Sequence, residues 1–297
     1  MNKKYNIALI SASFIPILLT VLASFYDYEI AVSTYIGQMP QDNIFGVIFA
    51  FLGIAPTFVG WSFLGASILC LLKKHKMSSV KYRWLLVLAV LLLVLSFFYF
   101  CNTLLMVNSN AFRVHWAIAY SIGIAVLAFA YFLGYKLSEK STNPKLMNTV
   151  LLLSIISLVI MIVIMSTKGI MNRPRYRFVM ESEQIEYFRN WWQSGKEIKN
   201  SLGSSTITDE FSSFPSGHSA YSMFAVFLFP ALADYIPRLE KCKGLLLALG
   251  FIWWGLTAFS RMTVGAHYLS DVAIAGLVSI ICYFIVISIN ALLKKNI

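Results

Sequence analysis

Charged residues are scarce in this 297-residue sequence, which is 12% Asp, Glu, Lys and Arg and 59% hydrophobic. A soluble domain carries roughly twice that share of charge, so the shortage excludes an ordinary water-soluble fold. The default class is an all-α, polytopic helical membrane protein. Acidic residues are the rarer sign, 13 against 24 Lys and Arg, for a formal net charge of +11. That surplus does not point to nucleic acid, because most of the cations fall in short loops between apolar runs, where basic residues set membrane orientation. Cysteine is sparse and unpatterned: Cys70, Cys101 and Cys282 lie in apolar runs and Cys242 in a basic loop. Without paired spacing, neither a disulfide framework nor a metal cluster is expected.

What the sequence does hold is long apolar stretches. About eight meet the roughly 20 helical residues that cross a hydrocarbon core, near 6–25, 45–72, 84–107, 114–135, 147–166, 219–235, 244–260 and 269–292. The run at 45–72 is over-long and holds Gly53, Pro56 and Gly60, which predicts a kink or tilt. The run at 219–235 is short and interrupted by Pro230. The first run follows Lys3 and Lys4 and has Val21 and Ala23 where a secretion signal would be cut. Its length of about 20 residues exceeds a usual signal core, so it reads as a retained helix.

Loop charge then alternates. The loop holding Asp27, Glu29 and Asp42 has no Lys or Arg, whereas the next carries Lys73, Lys74, Lys76, Lys81 and Arg83. Residues 108–113 have only Arg113, 136–146 have Lys136, Lys140 and Lys145, 236–243 have Arg238, Lys241 and Lys243, and the tail ends in Lys294 and Lys295. This pattern predicts a multi-pass protein of the cytoplasmic membrane with both termini cytoplasmic, and it puts 167–218 and 261–268 on the extracytoplasmic face. Those two stretches are themselves basic, against the rule, which predicts another task for their cations.

Three clusters occupy them. The first runs from Lys168 to Arg177 and contains Arg173, Pro174 and Arg175. Lys168 and Arg175 are two helical turns apart, so on one helix they would share a face and converge on a single anion; snorkelling of basic side chains at a helix end is the bland alternative. The second is Phe214-Pro215-Ser216-Gly217-His218, which places backbone N–H groups and the Ser216 hydroxyl at a helix start, where donors and dipole favour an anion. A histidine that merely caps the turn competes with that reading. The third is Ser260-Arg261 followed by His267 and Asp271. His267 and Asp271 are four apart at the expected start of the last helix, so the carboxylate would accept the Nδ1 proton and leave Nε2 free to attack phosphorus. Simple mutual satisfaction competes here too, since an unpaired Asp in mid-bilayer costs on the order of 2.5–3.5 kcal/mol on insertion scales.

Together these stretches resemble the signature of the type 2 phosphatidic acid phosphatase family, which shares its site with the vanadium haloperoxidases. The family pattern is Lys, six residues, Arg-Pro; Pro-Ser-Gly-His; and Ser-Arg, five residues, His, three residues, Asp. The second and third motifs match in full. In the first, Lys168 and Arg175 keep the spacing but Tyr176 replaces the proline, while Arg173-Pro174 supplies the pair at the wrong distance. Both registers stay open; Arg175 is preferred, with Arg173 as accessory. The resemblance covers roughly 147–293. It implies that His267 is the nucleophile, forming a phosphohistidine, that Asp271 orients it, and that His218 is the general acid and then activates water. It further implies that Lys168, Arg175, Ser216, the Gly217 N–H and Arg261 hold the phosphate, without metal or other cofactor. The implied activity is hydrolysis of a lipid phosphomonoester or pyrophosphate, with polyprenyl pyrophosphate, phosphatidylglycerophosphate and phosphatidic acid all compatible. Transfer of the phosphoryl group to an acceptor other than water is one alternative, and a non-catalytic lipid-anion binder or transporter another.

The chain accordingly divides into 1–146, N-terminal transmembrane helices of unknown role, and 147–297, a catalytic core with an extracytoplasmic insertion at about 178–214. In the insertion Ile185, Phe188 and Trp192 fall at helical spacing among Glu183, Glu186 and Arg189. They predict an amphipathic helix on the outer leaflet with Trp191 and Trp192 at headgroup depth, or else a solvated lid; 203–206 then reads as linker. His115, between Arg113 and Trp116, reads as interfacial and His75 as solvated, while Gly123 and Gly134 with Ala119 and Ala130 suit close helix packing.

Overall fold

The computed structural model describes residues 3–39, 41–75, 78–107, 115–203 and 209–295; Arg113 and the expected linker beyond Gly203 lie outside them. Among the described residues there are twelve α-helices and no strand. Unbroken apolar sequence gives this outcome because lipid offers no partner for backbone N–H and C=O groups, which a helix satisfies within itself. Among the described residues seven stretches are long and apolar enough to cross a membrane, 5–34, 44–74, 79–105, 116–140, 146–181, 237–263 and 269–295. The remaining expected run, at 219–235, forms a helix of 15 residues, Gly217–Ala231, about 22 Å long at 1.5 Å per residue. Pro230 lies in its last turn, and 3₁₀ turns follow at Leu232–Asp234 and Pro237–Cys242.

In chain order the helices are α1 (Lys3–Ala12), α2 (Phe14–Thr34), α3 (Ile44–Leu52), α4 (Ala55–Lys74), α5 (Ser79–Val107), α6 (Trp116–Lys140), α7 (Leu146–Met171), α8 (Tyr176–Glu181), α9 (Lys196–Leu202), α10 (Gly217–Ala231), α11 (Lys243–Thr263) and α12 (Leu269–Lys295). The first expected run ends too early: α2 bends at Tyr26 (φ −130°, ψ 23°) and continues to Thr34. Asp27 and Glu29 are therefore helical, and Asp27 is buried. The over-long run does break, between α3 and α4, with Pro56 in the first turn of α4, where a missing N–H costs nothing.

The chain forms two compact units. One comprises 54–158, 224–253 and 285–297 and is built on α4, α5 and α6, which pack against one another. Gly134 sets the α4–α6 approach, for a Cβ there would stand 2.2 Å from the Phe63 carbonyl oxygen. Buried polar groups pair inside this unit: Trp61 Nε1 donates to Ser157 Oγ at 2.7 Å, Ser62 Oγ to the Leu127 carbonyl at 2.9 Å, and Tyr235 OH to Ser67 Oγ at 3.1 Å.

The other unit comprises 1–53, 159–223 and 254–284, and all three sequence clusters belong to it. Here the expected amphipathic helix over Ile185–Trp192 does not form. After α8 the chain turns at Glu183 (φ 55°), makes one 3₁₀ turn at Ile185–Tyr187 and runs on without helix to α9. The aromatic residues that suggested a helix serve other contacts: Phe188 packs edge-on against Tyr28 (5.3 Å between centroids) and Tyr268 (5.4 Å), and Trp191 stacks on Phe214 and donates to Ser24 Oγ. Tertiary packing of the aromatics overrides a 3.6-residue period that is only two turns long.

Candidate active site

Helix α7 ends where its sequence allows. Asn172 adopts φ 45°, a left-handed conformation that Asn tolerates better than most residues, and its N–H donates to the Lys168 carbonyl at 3.3 Å. The chain then runs through Arg173, Pro174 and Arg175 without helix before α8 begins. Lys168 and Arg175 thus do not share one helix face, as the seven-residue spacing suggested; the chain turns out of α7 at Asn172, and Arg175 becomes the N-cap of α8. Lys168 Nζ donates to the Ser212 carbonyl, and its side chain lies beside Gly217, where a Cβ would stand 3.7 Å from Lys168 Cε.

Arg173 and Arg175 occupy different surroundings. Arg175 is half-buried; its Nε donates to the Asp209 carbonyl at 2.9 Å and a terminal nitrogen meets Asp209 Oδ1 at 2.8 Å, but Asp209 is 72% exposed. Arg173 is fully buried and bridges two buried carboxylates, Asp271 Oδ1 at 2.6 Å and Asp27 Oδ2 at 2.8 Å. It also donates to Ser270 Oγ at 2.7 Å and the Arg189 carbonyl at 2.8 Å, and its guanidinium carbon stands 4.1 Å from the centre of the Tyr268 ring.

The second motif opens α10. Ser216 Oγ accepts the Ser219 N–H at 3.3 Å, the bond expected of a helix cap, and the Ser216 N–H donates to the Asp271 carbonyl at 3.1 Å, which ties the second motif to the third. His218 Nε2 meets the Ala50 carbonyl at 3.0 Å. A carbonyl only accepts, so that nitrogen carries a proton and Nδ1 faces elsewhere.

In the third motif Arg261 is buried; it donates to the Gly46 carbonyl and, through Nε at 3.2 Å, to Ser260 Oγ. The backbone N–H groups of Ala266 and His267 both turn back to the Arg261 carbonyl, at 3.1 and 3.3 Å. Gly265 makes this tight reversal at φ 63° with the Tyr35 ring against it, a conformation that disfavours a side chain. His267 therefore lies just before α12 and not on its first turn. Its Nδ1 is 3.7 Å from Asp271 Oδ2 and has no hydrogen-bond partner among the described residues, so the expected Nδ1–H···carboxylate bond is longer than hydrogen-bond range. Asp271 is already held by other donors: Arg173 on Oδ1, and Ser213 Oγ at 2.5 Å and the Tyr268 N–H at 2.8 Å on Oδ2. Burial pushes the His267 imidazole down to about 3, and the charges of Lys168 and Arg175 act in the same direction, so at neutral pH the ring is uncharged.

This one unit gathers Lys168, Arg175, Ser216, Gly217, His218, Arg261, His267 and Asp271. The charge of Arg175 acts on Lys168, His218, Arg261 and His267 alike. Such an arrangement of cations, helix N-terminus and uncharged imidazole suits a phosphoryl group. His115 instead caps α6 through Nδ1 and the Ala117 N–H. No group of three or more His, Cys, Asp or Glu among the described residues is placed to hold a metal ion. Sequence reasoning missed Asp27, Ser213 and the carbonyls of Gly46 and Ala50. Of these only Asp27 had a legible signal, an acid bordering an apolar run.

The family model described as PAP2 superfamily matches residues 145–295, half of the chain. No curated protein and no solved structure matches it.

Proposed function

Since the chain belongs to the PAP2 superfamily and has the helices of a polytopic membrane protein, we propose that it hydrolyses a phosphomonoester or pyrophosphate on a lipid, at the extracytoplasmic face of the cytoplasmic membrane, through a phosphohistidine on His267. The observation that carries this reading is that one unit gathers the buried His267, its Nδ1 3.7 Å from Asp271 Oδ2, with the cations Lys168, Arg175 and Arg261. In the first step His267 Nε2 forms a bond to phosphorus while the bond to the lipid-side oxygen breaks, and His218 gives that oxygen a proton. With its Nε2–H held by the Ala50 carbonyl, His218 gives the proton from Nδ1 as the doubly protonated imidazolium, a form that the negative charge of a bound phosphate favours, and is left as the neutral Nε2–H tautomer. In the second step water attacks phosphorus, its proton passes to His218, and the P–N bond breaks. Lys168, Arg175, Arg261, Ser216 and the Gly217 N–H carry the negative charge of the equatorial oxygens, the main electrostatic demand of phosphoryl transfer.

The geometry supports Arg175 over Arg173 as the phosphate ligand, since Arg173 is saturated by carboxylates with no exposed surface. Polyprenyl pyrophosphate, phosphatidylglycerophosphate and phosphatidic acid all present the required group. The test is phosphate release by detergent-solubilised protein on a panel of lipid and water-soluble phosphates with chelator present. Turnover is expected to survive chelation and His115→Ala and to vanish in His267→Ala. Release by His267→Ala at the wild-type rate would remove the phosphohistidine, and abolition by chelator would remove the metal-free route.

A further inference from the structure

We infer that Asp27 and Arg173 are positioning residues for this reaction: a carboxylate on α2, outside the family-matched segment, grips one end of the Arg173 guanidinium while the other end fixes Asp271, the neighbour of His267. The inference rests on the phosphatase reading above.

Four parts of the chain meet at this fork. Arg173 comes from the turn after α7, Asp27 from the segment beyond the Tyr26 bend in α2, Asp271 and Ser270 from the first turn of α12, and the Arg189 carbonyl from the segment that crosses after α8. Asp27 also accepts the Ser270 N–H on Oδ1 at 2.9 Å and the Ser270 hydroxyl on Oδ2. The residue adjoining Asp271 is thereby held from backbone and side chain. All three charged side chains are at most 1% exposed.

Stability alone does not account for this arrangement, because removing three charges from water costs several kcal/mol per ion and buried ion pairs often contribute no net stability over apolar packing. Electrostatic neutralisation does not account for it either: one carboxylate would balance one arginine, and the second leaves a net negative charge. A planar fork held at both ends does fix an angle. Arg173 occupies Oδ1 of Asp271, so Oδ2 alone faces Ser213, the Tyr268 N–H and His267. Its direction sets the Nδ1–Oδ2 separation, 3.7 Å here, which must shorten as positive charge develops on the imidazole. Asp27 is the far anchor of that angle.

The experiment compares full-length wild type, Asp27→Asn and Arg173→Lys in detergent, with dioctanoyl phosphatidic acid as probe and thermal unfolding on the same samples. Each variant is expected to lose roughly 100-fold in kcat, the scale of a misplacement of about 1 Å at a reacting group, with KM within about threefold, because neither residue touches phosphate. Arg173→Lys keeps the charge but not the planar fork, so it decides the matter even if Asp27→Asn does not fold. Placing Asp27→Asn on an Asp271→Asn background supplies a readout that a merely structural role would not move: acting through Asp271, it should add less than about threefold there. Folded variants with wild-type kcat, or an undiminished loss on the Asp271→Asn background, would overturn the inference. His267→Ala serves as control: surviving turnover there removes the phosphatase reading itself, whereas an inactive His267→Ala beside a fully active Arg173→Lys removes only the positioning role.

Discussion

Replacing Arg175 with Ala and, separately, Arg173 with Ala should produce opposite failures. In wild type two of the five Arg175 donors go to Asp209, a residue 72% exposed, and an ion pair with so solvated a partner contributes at most about 1 kcal/mol. Arg175→Ala should therefore unfold within a few degrees of wild type. Its effect on rate should be large, since removing one donor to a developing oxyanion costs about 2.7–4 kcal/mol, or roughly 100- to 1,000-fold in kcat. For Arg173→Ala the balance reverses: two carboxylates with 0–1% exposure lose their shared cation, and breaking a buried pair costs about 3–5 kcal/mol. That variant should fail to accumulate as folded protein or unfold far below wild type. The assay is thermal unfolding in a fixed detergent, paired with phosphate release from the folded fraction. Should Arg175→Ala unfold as early as Arg173→Ala, or keep turnover within threefold of wild type, the assignment of the two arginines collapses.

Three further outcomes are expected. The folded-state value for His267, pushed down to about 3 by burial, lies below the ordinary value of about 6.5. The unfolded chain thus binds a proton that the native state refuses, and the stability present above about pH 6.5 should fall by up to about 1.4 kcal/mol per pH unit on acidification; the slope of unfolding temperature against pH between 6.5 and 4 should be shallower in His267→Gln, and identical slopes would contradict the burial argument. In the proposed topology Glu197→Cys should react with an impermeant maleimide in intact cells, while native Cys242, exposed at the end of the 3₁₀ turn Pro237–Cys242, reacts only after permeabilisation; the reverse order would invert that topology. Gly134→Ala should destabilise by about 1–3 kcal/mol because its Cβ meets the Phe63 carbonyl, whereas Gly255→Ala, with open space at that position, should be neutral or stabilising in unfolding assays.

Some of this protein is written locally along the chain. Helix, membrane class and the positions of the long runs follow from apolar composition over about 20 residues, because lipid compels each such segment to satisfy its own backbone. Motif residues are legible for a similar reason: Pro215 and Gly217 mark a turn at a helix start, and His267 and Asp271, four residues apart, do come within 3.7 Å of each other, though beyond hydrogen-bond range. The failures have a common origin. Ile185, Phe188 and Trp192 carry a helical period too short to hold against aromatic partners such as Tyr28, Tyr268 and Phe214, which lie far away in sequence. Spacing from Lys168 favours Arg175 and the following proline favours Arg173; only the fold reveals that Asp27, 146 positions earlier, claims Arg173.

Sequence alone therefore determined the solvent in which the protein folds and the three motifs that mark its family, since both are properties of short stretches. Tertiary structure decided which arginine is enclosed by carboxylates, which carboxylates hold it and which ring nitrogen of His218 is held. Those outcomes depend on directions and distances of a few ångströms between residues whose separation in the chain carries no information about either.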